Sequence, residues 1–393
     1  MMIDPRADAL KDEMTLWRRH LHANPELGFE EHETARFVAD RLRSWGLEVV
    51  EAVGGTGVVA TLRGRLGRGR SMGLRAELDA LPIEETTGVP HASCRPGRMH
   101  ACGHDGHAVM LLGAARVLAG SRDFAGTLHF IFQPAEEGLG GALAMLDDGL
   151  FDRFPCDEIF ALHNSERPLG QVVVHDGTVA AATDRFEIVI HGRGGHAAMP
   201  HLAIDPLPIA ARLLLDLEAL PGRLTDAAAP AVVTVASLHA GTAFNTIPGT
   251  ATLTGTVRCF DPEARQALED AVRRLADSQA RMHGARAEID YRTIFAPTIN
   301  TPEQARFVAE TAAQVVGAGN LCRNPPPEMG SEDFSFMLQR RPGCYFLLGQ
   351  GDASHVAAPH DSAFDFNDAL LPIGASLWVR LAERRLSPQG GSS

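Results

Sequence analysis

The sequence predicts an α/β fold in which one α/β domain is interrupted by a small βαββαβ insertion. Three observations carry this. Up to Ala181, short apolar runs bounded by turn residues alternate with helical segments, the pattern of a mostly parallel sheet covered by helices. After Ala181 the order changes to β-α-β-β-α-β, a ferredoxin-like arrangement. Beyond residue 293 the first pattern resumes. The predicted domains are therefore 1–181 together with 294–393, and 182–293.

Each element follows from local signals. A first helix is predicted over 5–23, stopping at Asn24-Pro25, and a second over 33–45, with Gly46 as its C-terminal cap. Strands are expected at 57–62 and 71–78, a buried helix at 107–119, a strand at 126–133, a helix at 140–148 and a strand at 157–162. In the insertion, 184–191 alternates like a half-buried strand. A helix over 205–220 has Asp205 as N-cap and Pro206 at its first position. Strands at 231–238 and 250–259 come next. Asp261-Pro262-Glu263 opens a long helix to about 282, and 286–291 closes the insertion as a strand. The last part reads as helices at 301–316 and 332–338, a strand at 344–349, and a helix at 367–385 that packs back onto the first domain. The tail, 387–393, reads as disordered.

Bulk properties narrow the function. A chain of 393 residues exceeds one ordinary core, and 45% hydrophobic residues argue against disorder. A net charge of −13 disfavours nucleic acid or an anionic membrane as the main partner, although a local arginine can still serve a small anionic substrate. No apolar run reaches membrane-spanning length. The start, Met1-Met2-Ile3-Asp4-Pro5-Arg6, lacks the basic-then-apolar pattern of a secretory signal. The six cysteines are too sparse for a disulfide scaffold, so reduced thiols in the cytoplasm are expected.

The chemistry concentrates at His100-Ala101-Cys102-Gly103-His104-Asp105-Gly106-His107, and at Glu136-Glu137, which follow an apolar strand. Imidazole, thiolate and carboxylate together suit a transition metal and an activated water. In open parallel sheets, ligands gather beyond the carboxyl ends of the strands. Glu77 and Asp79, Cys102 and His104 in the loop before the predicted helix at 107, Glu136 and Glu137, His163 and His360 all fall there. Successive side chains at a strand end point to opposite sides, so one glutamate can hold a metal while its neighbour reaches a bound water as general base. The plain alternative for the pair is a solvated acidic turn. His107 opens an apolar helix, where capping or packing explains it, so His100 and His107 are left outside the ligand set. His196, in the glycine-rich turn Gly192 to His201, is a weak signal taken alone. Asn245 and Arg258 are readable either as binders of a substrate carboxylate or as ordinary polar residues, Arg258 as an exposed strand-end arginine.

In this order the motifs resemble the M20 metallopeptidase family, and more narrowly its amidohydrolase branch of hippurate hydrolases, N-acyl-amino-acid aminoacylases, N-acetyl-diaminopimelate deacetylases and plant auxin-conjugate hydrolases. The matching text includes Arg18-Arg19, His22, Pro25-Glu26-Leu27-Gly28, Arg75-Ala76-Glu77-Leu78-Asp79-Ala80-Leu81-Pro82, the stretch from Met99 to His107, and Phe132-Gln133-Pro134-Ala135-Glu136-Glu137-Gly138. It continues with Gly194-Gly195-His196-Ala197-Ala198, Gly255-Thr256-Val257-Arg258, Met329-Gly330-Ser331-Glu332-Asp333-Phe334 and Asp365-Phe366-Asn367-Asp368.

The resemblance implies a zinc-peptidase-like catalytic domain and an inserted lid and dimerisation domain. It implies two divalent metal ions, with Cys102 bridging and His104, Glu137, His163 and His360 as terminal ligands. Glu136 matches the general base. His196 matches a histidine that in dimeric relatives crosses to the partner's active site and polarises the scissile carbonyl. Asn245 and Arg258 fall near substrate-binding positions. Relatives carry His-Ser-Pro or His-His-Pro where this chain has His360-Asp361-Ser362-Ala363, which leaves His355 as the rival to His360. A thiolate ligand favours softer ions, Zn first, with Co, Ni or Mn as alternatives.

The reading is a cytoplasmic, dimeric, binuclear metal amidohydrolase that cleaves N-acyl-amino acids, hippurate-like or N-acetylated, to a carboxylate and a free amino acid. Within the class, a dipeptidase or N-acetyl-diaminopimelate deacetylase is the alternative. Outside it, a non-catalytic binding protein on the same scaffold should have lost a ligand or the base, and none is missing. A metal sensor explains neither Glu136 nor the insertion.

Overall fold

The structure, a computed structural model, describes residues 1–226 and 230–388; most of the predicted disordered tail, 389–393, lies outside the described residues. The chain forms two compact units. One comprises 1–179, 299–326 and 333–393, the other 180–298 and 327–332.

The first unit is built on an eight-stranded sheet. Its order is Glu48–Val53, Gly57–Arg63, Thr127–Gln133, Ser71–Glu77, Glu158–Pro168, Gly343–Gly351, Val172–Val174 and Leu321–Arg323. The four central strands, from Thr127–Gln133 to Gly343–Gly351, run parallel. The sheet is mixed because the edge hairpin Glu48–Val53/Gly57–Arg63 and the short strand Val172–Val174 add antiparallel pairings. The strand Glu48–Val53 escaped the sequence reading because its residues are mostly exposed and alternate poorly. The parallel centre brings Gln133, Glu77 and His163 to the same sheet edge.

The helix His104–Ser121 is buried along nearly its whole length and packs against Leu371–Arg385. Phe130, Phe132, Phe160 and Phe346 fill the space beneath, with the Phe346 ring 5.4 Å from that of Trp378. Each such buried aromatic contributes roughly 2–3 kcal/mol through removal from water.

Several boundaries differ from expectation for local reasons. The first helix divides into Pro5–Asp8 and Lys11–Ala23. The second, His32–Ser44, starts where Glu26 Oε2 accepts from the amides of Glu33 and Thr34, at 2.9 and 2.8 Å. The central helix begins at His104 and not at 107, because Gly103 adopts φ 93° and turns the chain into the helix three residues early. His104 is therefore a helical residue, which corrects its placement in a loop. The segment at 332–338 contracts to Phe334–Leu338, and the last helix starts at Leu371 after a short 3-10 turn capped by Asn367.

In the second unit four strands form an antiparallel sheet in the order Ala231–Ala240, Thr250–Cys259, Ala182–His191, Arg286–Phe295. Helices Pro206–Glu218 and Pro262–Met282 cover it, each capped by the aspartate before its first-position proline, Asp205 and Asp261. The alternating apolar face of Ala182–His191, Phe186, Ile188 and Ile190, is fully buried beneath them. Among the described residues no helix is long and apolar enough to cross a membrane.

Candidate metal centre

The cluster forms where the parallel strands end. Gly103 is central to its geometry. Its φ of 93° suits glycine, and a Cβ there would stand 2.4 Å from Asn164 Oδ1. This tight turn holds Cys102 and His104 on either side of it, both buried.

His104 Nδ1 lies 2.9 Å from the Asp79 carbonyl and 3.1 Å from Asp79 Oδ1, so Nδ1 carries a proton and donates. Its Nε2 is buried without a hydrogen-bond partner. Burial alone would lower the His104 pKa, but the Cys102 sulfur and Asp79 outweigh it and raise it well above the ordinary value. A position that attracts a proton so strongly is one where a cation fits.

Cys102 completes the argument. Burial first, then the Glu137 carboxylate, push its thiol up to about 12, so a thiolate here requires a neighbouring cation. His163 is arranged in the opposite sense. Burial and then His107 push it down to about 3, and its Nδ1 donates to the Asn164 carbonyl at 2.8 Å. Its Nε2 therefore keeps its lone pair, which accepts from the Cys102 thiol at 3.4 Å.

The two glutamates leave the strand Thr127–Gln133 through an elbow at Ala135, whose φ is 52°. A non-glycine residue in this left-handed conformation costs roughly 1–2 kcal/mol, so surrounding contacts must hold it. Glu137 N donates to Asp79 Oδ2 at 3.0 Å, and Glu137 Oε1 lies 3.1 Å from His360 Nε2. Glu136 Oε1 accepts from Asp333 N at 3.4 Å. His360 is itself left-handed, with φ 70°, and its amide donates to the Ala101 carbonyl at 2.7 Å. His355 instead pairs with Asp352 at 2.9 Å, so of the two rivals His360 is the one that faces Glu137.

Among the described residues potential donor atoms collect in four groups, each within 4.8 Å, and three of them are Glu77, His104, His107 and His163; Cys102, Glu137 and His360; and His104, Glu136 and Glu137. Shared members join them into one cluster that holds all six residues expected around a metal pair. The donor set of imidazole, thiol and carboxylate, with an orphaned buried His104 Nε2, fits divalent ions of the softer kind.

The sequence reading missed what holds this cluster. Both nitrogens of His107 are occupied: Nδ1 by Glu77 Oε2 at 2.9 Å and Nε2 by the Asn164 amide at 3.0 Å. His107 thus braces the cluster. Asp79, noted only as a polar strand-end residue, orients His104 and Glu137 together. Arg75 binds Glu77, Gln133 Oε1 (2.9 Å) and Asp333 Oδ1 (2.9 Å) in a fully buried network beneath the site. The signal for Arg75 was an arginine inside an apolar strand.

His196, Asn245 and Arg258 belong to the second unit. His196 pairs with Thr246 in a two-stranded ladder, and the Ala197 amide bonds the Asn245 carbonyl at 3.0 Å, so His196 and Asn245 lie on neighbouring segments of one ladder. His196 is exposed, and its Nδ1 accepts from Ala198 N at 3.1 Å, which leaves Nε2 as the protonated nitrogen of the neutral ring. Arg258 lies near the far end of the strand Thr250–Cys259, about 27 Å along it from Thr250 at the usual rise per residue. Its guanidinium bonds the Met329 carbonyl at 2.8 Å. The structure does not bring Asn245 and Arg258 together within the unit.

Residues 73–384 match the sequence profile of peptidase family M20/M25/M40. The chain is 39% identical to the hippurate hydrolase of Campylobacter jejuni over 98% of its own length and 100% of that protein. It is 39% identical to an IAA-amino acid hydrolase of Arabidopsis thaliana, covering 95% of this chain and 87% of the relative. A crystal structure of a dinuclear metal binding peptidase of the M20 family from Bacillus subtilis superimposes with a TM-score of 0.83 at 33% identity, covering 96% of this chain and 99% of the other.

Proposed function

Since the chain belongs to peptidase family M20/M25/M40 and is an amide-bond hydrolase, we propose that it hydrolyses N-acyl-amino acids, hippurate-like or N-acetylated, to a carboxylate and a free amino acid. The observation that carries the mechanism is the convergence of Cys102, His104, Glu136, Glu137, His163 and His360 in one donor cluster.

Cys102, His104, Glu137, His163 and His360 would hold two divalent ions; zinc suits the thiolate best, with Mn, Co or Ni as alternatives. Bound there, such ions supply Lewis acidity toward the amide carbonyl and toward water. Glu136 takes the water's proton on its carboxylate and returns it to the nitrogen of the departing amine. His196 Nε2–H is a donor for the carbonyl oxygen as it becomes negative, a role whose removal typically costs about 100- to 1,000-fold in kcat. Asn245 and Arg258 would bind the substrate carboxylate. His196 and Asn245 lie at one short ladder remote along the strand from Arg258, and this favours a homodimer in which the second unit is the lid and dimerisation domain and serves two sites. The six free thiols agree with a cytoplasmic setting.

The test is hydrolysis of a panel containing hippurate, N-acetyl-amino acids and dipeptides, before and after chelation, with metal analysis of the purified protein. Cleavage of dipeptides alone would overturn the substrate assignment. Full activity after chelation, or in Glu136→Ala, would overturn the mechanism.

A further inference from the structure

The motif Pro25-Glu26-Leu27-Gly28 and the residues after it have no part in the cluster, yet they lie against its elbow. Gly28 stands so close to Ala135 that a Cβ there would be 3.0 Å from Ala135 Cα. Glu26 O accepts from Ala80 N at 2.8 Å, and Leu27 bridges to Ala80, the neighbour of Asp79. Glu31, fully buried, accepts the Ala135 amide on Oε1 at 2.8 Å, and its Oε2 accepts from the Thr56 hydroxyl. The segment 26–31 thus reaches two of the stretches of chain that present site residues, at Ala80 and at Ala135, and Ala135 is the left-handed residue immediately before Glu136.

We propose that Glu31 is a positioning residue for catalysis: by accepting the Ala135 amide it holds the left-handed elbow that aims Glu136. This rests on the reading of Glu136 as the proton carrier. The requirement is geometric. One oxygen must accept from the elbow while the other end of the group meets Thr56. Glutamine satisfies both, with its carbonyl toward Ala135 and its amide donating to the Thr56 hydroxyl. Burial pushes the Glu31 carboxyl up to about 7, so an uncharged isostere suits this environment. Aspartate is one methylene too short to meet both partners, and alanine meets neither.

The experiment compares Glu31→Gln, Glu31→Asp and Glu31→Ala with the parent on an N-acyl-amino acid that the parent cleaves, reading kcat, KM, bound metal per chain and thermal denaturation. Glu30→Ala, at the neighbouring exposed residue, is the control expected to leave activity unchanged. The alanine and aspartate variants should lose about 10- to 100-fold in kcat, as displacement of a catalytic group by an ångström does, with KM and metal content unchanged. The glutamine variant should restore kcat. Should the alanine variant fail to fold, the aspartate and glutamine pair decides. Parent-like kcat in Glu31→Asp, equal damage from Glu31→Gln, or a kcat loss accounted for by lost metal would overturn the proposal. Glu136→Gln run alongside separates the two readings. If that variant stays active the general-base reading itself fails, and if it is inactive while Glu31→Asp is normal only the positioning role fails.

Discussion

Replacing Asp79 with asparagine should weaken divalent-ion binding while leaving the fold standing. The carboxylate is buried and serves two donors at once, His104 Nδ1 at 3.1 Å on Oδ1 and the Glu137 amide at 3.0 Å on Oδ2. Asparagine has one acceptor oxygen, so its NH2 must face one of those donors. If it faces the Glu137 amide, that buried N–H is left unpaired, at a cost of about 1–3 kcal/mol. If it faces His104, the NH2 opposes Nδ1–H, which is left with the Asp79 carbonyl at 2.9 Å as its one acceptor, and the ring loses the carboxylate that makes it a stronger ligand. At 1.4 kcal/mol per decade the first outcome corresponds to about 5- to 150-fold in the dissociation constant. That range overlaps the roughly 10- to 100-fold typical for losing a group that orients a metal ligand. The assay is competition between metal-free protein and a chromogenic chelator for zinc, with thermal denaturation measured separately. Asp352→Asn, which alters contacts with His355, the Ser354 amide and Asn367 Nδ2, is the control. Unchanged zinc affinity in Asp79→Asn, or an equal loss in Asp352→Asn, would refute the reasoning.

Other outcomes follow from the same geometry. Glu136→Gln should lower kcat by about 100- to 10,000-fold with metal per chain unchanged, checked by steady-state kinetics and elemental analysis; loss of metal in parallel would make Glu136 a ligand instead. Gly103→Ala places a Cβ 2.4 Å from Asn164 Oδ1 on a φ of 93°, and should destabilise the protein by about 1–3 kcal/mol in urea denaturation and reduce metal retention. Metal-free protein should lose stability as pH falls from 6.5 to about 4. Burial depresses His100 and His129 to about 4, so over that interval the unfolded chain binds protons that the folded chain refuses. His129→Gln should flatten part of that slope, and a stability that is level from pH 6.5 to 4 would contradict the assignment.

The alternation of strand and helix was readable because both periods are written in the apolar residues, and the helix-capping aspartates Asp205 and Asp261 marked their elements directly. Cys102, His104, Glu136 and Glu137 were legible because short polar residues among glycines at the end of an apolar strand have few structural uses. What the sequence did not reveal depends on contacts across long separations. Asp79 is 25 residues from His104 and 58 from Glu137, and nothing local says that one carboxylate serves both. Asn164 and His107 are 57 residues apart, yet their pairing makes His107 a brace. The early start of the central helix turned on the backbone conformation of one glycine, which composition does not encode. Glu31 looked like any acid in the run Glu30-Glu31 until the fold carried it beneath Ala135.

The cluster draws its members from chain positions 102, 104, 136, 137, 163 and 360. During synthesis the first five emerge long before the last, so a growing chain presents an incomplete set, with Glu137 lacking its His360 partner until the strand Gly343–Gly351 and the loop beyond it have been made. Filling of the completed set is therefore tied to the end of synthesis. A truncation ahead of residue 343 removes both the final donor and the strand at the sheet's fourth parallel position, so the same break that spoils the chemistry also marks the chain as misfolded.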